Sequence, residues 1–206
     1  NEMYINDYAF AACNGLTNIV IPNNVTGISN YAFYGCENLT AIKLPSSLKY
    51  GIGKFAFACC KNLESIVIPN GVPGIQEGTF LGCEGLTSIE FSDSVKYIED
   101  EAFSECCSLV SIRIPDSVTR IGSLDDTWDS GAFSRCTSLK KVTLSGNMKV
   151  ISKGTFSNCT SLTNVVIPEN ILTIKGFAFS GCTSLERIWI PASVSSIESK
   201  AFYGAF

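Results

Sequence analysis

An aromatic anchor returns along this chain at Phe10, Phe33, Phe57, Phe80, Phe103, Phe133, Phe156, Phe179 and Phe202. The intervals are 23, 24, 23, 23, 30, 23, 23 and 23 residues. Counted from each of the first eight, a cysteine falls at +3, a leucine at +6 and an aliphatic residue at +9. Another apolar residue follows at +11, usually a proline at +12, and two more apolar residues near +15 and +18. In the seventh unit these are Phe156, Cys159, Leu162, Val165, Ile167, Pro168, Ile171 and Ile174. Columns of this kind, held in one phase over a whole chain, mark stacked coils that bury their apolar sides only against one another.

The spacing within a unit assigns its parts. Val165-Val166-Ile167 alternates inward and outward, which is the period of a strand. Pro168 then removes a backbone donor, so each strand is short. The segment Gly176–Cys182 carries apolar residues three apart and predicts a helical or 3₁₀ turn. Alanine before the anchor, at Ala9, Ala32, Ala56, Ala102, Ala132, Ala178 and Ala201, lets neighbouring turns pack closely. The expected architecture is one array over residues 1–206, a right-handed coil with short parallel strands on one side and short helical turns on the other. Eight coils at roughly 4.8 Å per strand make a rod or arc of about 38 Å.

The run Leu63-x-x-Ile66-x-Ile68-Pro69-x-x-Val72-x-x-Ile75-x-x-x-Thr79-Phe80-x-x-Cys83 resembles the BspA-like class of leucine-rich repeats. The match extends over essentially the whole chain. It departs where Ser92 and Ser145 replace the proline and where Thr79 and Thr155 replace the alanine. The resemblance implies a leucine-rich-repeat solenoid with a concave strand sheet in an extracellular or cell-surface setting. It also implies a role in adhesion to host or neighbouring-cell macromolecules, without naming a ligand.

Composition narrows the chemistry. The net charge of −4 provides no basic field for nucleic acid. There are no histidines, hence neither the commonest general base nor the commonest metal ligand. No nucleophile elbow, phosphate-cradling loop or fixed carboxylate pair is present, so the chain reads as a non-enzyme without a cofactor. No apolar run is long enough to span a membrane, and no signal-peptide pattern opens the chain. Apolar residues at both ends, where a solenoid wants polar caps, fit a segment of a longer protein.

Eight of the ten cysteines form the +3 column, from Cys13 to Cys182. A reduced core ladder is the expected reading, with an occasional bridge as the alternative. Cys59 and Cys107 lie outside the column, two coils apart, and are expected not to bridge each other.

Candidate contact residues sit where the repeat breaks. Outward strand positions read Val20, Lys43, Val67, Glu90, Arg113, Thr143, Val166, Trp189, preceded by a column ending in Lys141, Asn164 and Arg187. Lys141, Arg187 and Trp189 would bring cations and an aromatic to one surface, where a partner could bind; alternatively Trp189 covers the open end of the sheet. A seven-residue insertion within 122–131 carries Asp125, Asp126, Trp128 and Asp129. Its aspartates lack the order of a calcium loop, so an acidic contact loop is the other reading. A protein or glycan partner is thus expected, and the competing reading is a structural spacer with no ligand of its own.

Overall fold

The structure, a computed structural model, describes residues 2–122 and 131–206. Two ladders of parallel strands run along the molecule. The first contains Asn18–Val20, Ala41–Lys43, Ser65–Ile68, Ser88–Phe91, Ser111–Arg113, Lys141–Thr143 and Asn164–Val166. Its pairings join equivalent positions, such as Ile66 with Ile89 and Val142 with both Ile112 and Val165. Trp189 adds a last bridge through Val166. Equivalent positions pair because the +9 and +11 side chains must stay inside, and a slip of one residue would turn both outward.

The second ladder was not anticipated. Met3–Ile5, Val25–Ile28, Gly74–Ile75, Tyr97–Ile98, Arg120–Ile121, Val150–Ile151, Thr173–Ile174 and Ser196–Ile197 pair in parallel, with Ile52 bridging Ile28 to Ile75. The sequence shows this side only as two apolar columns, near +15 and +18. Coils stacked at strand spacing leave backbone donors and acceptors facing each other, and even a two-residue strand satisfies them.

The expected helical or 3₁₀ side is a correction: among the described residues there is no helix of either kind. The arc around each phenylalanine instead alternates between two kinds of hydrogen bond. In the Phe57 coil, the amides of Phe55, Phe57 and Cys59 donate forward to Glu77, Thr79 and Leu81 of the next coil. Those of Ala56, Ala58 and Cys60 donate back three residues, to Gly53, Phe55 and Phe57. Left-handed residues cause the alternation. Positions two before and two after the anchor have positive φ in coil after coil, as at Tyr31 (56°) with Gly35 (69°) and Phe55 (54°) with Cys59 (60°). A left-handed residue every fourth position interrupts any helical run.

The interior is a set of continuous stacks. The nine anchor rings lie face to face, from 5.0 Å between Phe10 and Phe33 to 5.7 Å between Phe133 and Phe156. The 30-residue interval leaves the stack intact, since Phe103 and Phe133 stand 5.3 Å apart and nearly parallel. Where the repeat departs from its pattern, a hydroxyl is bonded to backbone. Thr79 and Thr155 donate to Gln76 and Ser152 carbonyls, Ser92 to Pro69 and Ser145 to Val118.

The cysteine column has a second function in this packing. Each thiol from Cys36 to Cys182 donates to the carbonyl of the phenylalanine in the coil before it, as from Cys36 to Phe10 at 3.0 Å and Cys159 to Phe133 at 3.1 Å. All ten cysteines are free, and of the eight in the column only Cys13 is not buried. Burial raises the Cys83, Cys106 and Cys159 thiols well above their ordinary range and Cys182 to about 12. The thiolate is the reactive form, so these buried thiols are inert at mild alkalinity. Alkylation of the native chain near pH 8, read by intact mass, should modify Cys13, Cys59 and Cys107 and spare the other seven. Prompt labelling of the buried seven without denaturant would contradict this packing.

Candidate functional site

The outward side chains of the first ladder form a surface paved mostly by small or β-branched residues. Val20, Val67 and Val166 are exposed along its central column. At its end Trp189 stands 76% exposed, flanked on its own strand by Ile188 and Ile190, which pack against the core. So exposed a ring does not cover the end of the sheet; it projects from it.

Arg187 is also exposed and shares the face of Trp189, two residues earlier on the same segment. Lys141 is exposed on this face too, but it pairs with Asn164, whose own neighbour in the continued register is Arg187. A full coil therefore separates the lysine from the arginine, roughly 10 Å at strand spacing. Arg187 and Trp189 are thus exposed two residues apart, with Lys141 two coils away. Trp128, Asp125, Asp126 and Asp129 lie outside the described residues.

What is described of the insertion is its two anchors. Gly122, at φ 87°, donates its amide to Ile98 at 2.7 Å. Gly131 lies so close to the next coil that an added Cβ would sit 2.2 Å from the Gly154 carbonyl carbon. Arg120 braces the first anchor, paired with Glu99 at 2.7 Å and lying 5.2 Å over the Tyr97 ring. The Glu99 contact raises the Arg120 pKa further.

The fold on the page is a stack of parallel strand coils, and the repeat model for the BspA type leucine rich repeat region matches residues 3–124 and 126–205 in 6 copies. The chain belongs to that family. Among solved structures it is similar to a leucine-rich repeat protein from Bacteroides ovatus, at 36% identity and a TM-score of 0.80. That likeness covers 89% of this chain and 48% of the other, so the chain spans about half the relative's length. A leucine-rich repeat protein of T. pallidum is 34% identical with a TM-score of 0.74, over 82% of this chain and 78% of that one. The pneumococcal vaccine antigen PcpA, at 20% identity and a TM-score of 0.52 over 91% of this chain and 60% of its own, shares the fold alone. Among curated proteins nothing matches the sequence.

A second irregular surface escaped the reading of the sequence. On the outer side of the other ladder, Tyr4 and Tyr50 meet at 5.4 Å between centroids, inclined at 32°. They can do so because Gly27 lies between them: a Cβ there would fall 2.9 Å from the Tyr4 ring and 3.3 Å from the Tyr50 Cβ. A groove of about 360 Å³ opens beside the pair, lined also by Asp7, Asn30, Lys54 and Gln76. The signal for it was present, because Tyr50 falls in the one 24-residue interval. That extra residue sets the tyrosine beside Gly51 rather than in its column.

Proposed function

We propose that this segment is an extracellular or cell-surface binding module that recognises a host or neighbouring-cell macromolecule, protein or glycan, through the outward face of its first ladder. The observation that carries the reading is Trp189. A tryptophan left 76% exposed keeps a large apolar ring in water, a cost that a partner covering it would remove. Arg187 beside it adds a planar donor fork suited to carboxylates or carbonyls at a contact. Among the described residues no helix is long and apolar enough to cross a membrane.

Binding of the fluorescent chain to host and neighbouring-cell surfaces, measured by flow cytometry, tests the proposal. Trp189→Ala and Arg187→Ala should each weaken it, the first by about tenfold or more. Trp128→Ala tests the insertion in the same assay. Retained binding by all three variants would remove these residues from the contact. No binding by the wild type would favour a spacer that extends a longer surface protein.

A further inference from the structure

We propose that the groove beside Tyr4 and Tyr50 is a binding site for a pyranose unit of a neutral glycan, with the tyrosine pair as its stacking wall. The proposal does not depend on Arg187 or Trp189, which belong to the other ladder.

The groove has the size of a small-ligand site rather than of a protein contact. Its wall is aromatic: both tyrosines line the groove and are partly exposed, at 42% and 55%. The axial C–H groups of a pyranose carry slight positive charge and pack flat on the negative face of such a ring, which also removes apolar surface from water. An aromatic wall alone would suit many ligands. The polar residues opposite it select among them.

Each of those residues is held by the framework through one atom and leaves another to face a ligand. Asp7 accepts the Asn30 amide on Oδ1 at 2.9 Å, which leaves Oδ2 to accept a hydroxyl. Asn30 accepts the Lys54 amide on Oδ1 at 2.9 Å, which leaves both Nδ2 hydrogens to donate. Gln76 donates through Nε2 to the Tyr97 hydroxyl at 2.9 Å, which leaves Oε1 to accept. Gly53 makes the close approach of Asn30 possible, since a Cβ there would stand 2.7 Å from its backbone nitrogen and Oδ1. Donors and acceptors fixed in advance around an aromatic wall match a ligand that both donates and accepts, as a polyol does.

The charges argue for neutrality. Lys54 is paired with Glu77 at 2.9 Å, and Lys49, 4.9 Å over the Tyr50 ring, is paired with Glu2. A sulfated or phosphorylated sugar would meet the Asp7 carboxylate with both lysines already engaged. A cationic ligand would meet Lys49 on the ring it needs. A neutral sugar is repelled by neither charge.

The test is an array of neutral, sialylated and sulfated oligosaccharides probed with the 206-residue chain. Retention is expected on neutral members. Tyr50→Ala should weaken it by about tenfold or more, while Tyr50→Phe, which keeps the ring, should preserve it. Asp7→Asn, which keeps the acceptor for Asn30 and replaces the outer oxygen with a donor, should also weaken it, and it carries the test alone if Tyr50→Ala does not fold. Trp189→Ala should leave retention unchanged. Retention on no neutral member, retention on charged members only, or wild-type retention by both Asp7→Asn and a folded Tyr50→Ala overturns the proposal.

Discussion

Phe103→Ala is expected to destabilise the array by about 3–5 kcal/mol, the cost of deleting a fully packed aromatic ring. Phe103 is wholly buried and stacks at 5.3 Å on Phe80 and at 5.3 Å on Phe133. Phe91 meets its edge at 5.9 Å and 87°. Its backbone carbonyl accepts the Cys136 thiol, and its amide donates to Ala132 of the next coil. The cavity left by the ring would be walled by two other rings that cannot collapse toward each other without breaking the backbone ladders. Phe202 supplies the comparison. It is half-buried at the end of the described stack, with Phe179 on one side and the tilted ring of Phe206 on the other. Phe202→Ala should cost roughly a third as much, since an ordering penalty in a linear array falls only on neighbours. Denaturant unfolding of both variants measures the contrast, and equal losses would mean that the rings do not act as a stack.

How much of this was legible beforehand follows from what each feature depends on. The stack was legible because phenylalanine, cysteine and leucine recur in one phase, and each column needs only its own residue type. The turns were misread because the left-handed positions do not keep one residue type. Gly78 and Gly154 fill one of them, but so do Tyr31, Phe55, Glu101, Phe177 and Lys200. A side chain in that conformation is disfavoured by the chain itself, so only the hydrogen bonds of the stacked coils explain it. The second ladder escaped for another reason: six of its eight strands have two residues, shorter than any alternation that could reveal them.

The contact surfaces divide in the same way. Arg187 and Trp189 stand out as departures within a single coil, and both are exposed. The tyrosine groove needs residues from three coils, with Gly27 between Tyr4 and Tyr50. No one repeat contains it, and in a column-by-column reading its tyrosines are unrelated. Function in a repeat protein can therefore sit where neighbouring departures meet, and sequence alone shows each departure separately.

The largest effect of a single added methyl group is expected at Gly131. Gly131→Ala should cost about 3 kcal/mol, the upper end of what overpacking does in a filled interior. The Cβ would fall 2.2 Å from the Gly154 carbonyl carbon and 2.3 Å from both its oxygen and the Thr155 nitrogen. These are backbone atoms, so no rotamer relieves the contact. The two coils would have to part, and parting strains the hydrogen bonds from the Phe133 amide to Thr155 at 3.0 Å and from the Arg135 amide to Ser157 at 2.7 Å. Gly131 is where the chain rejoins the stack after the insertion, at the position that Glu101 and Gly154 hold in their own coils. Absence of a side chain is what so close an approach requires. Gly146→Ala is the matched control: its Cβ would meet only the Asp116 carboxylate at 3.8 Å. That change should stay within about 0.5 kcal/mol of wild type. Denaturant unfolding of the two alanine variants, with hydrogen exchange at the Phe103 and Phe133 amides, separates the cases. If Gly131→Ala were as mild as Gly146→Ala, close coil contact at the insertion boundary would not be what lets the ring stack run through it unbroken.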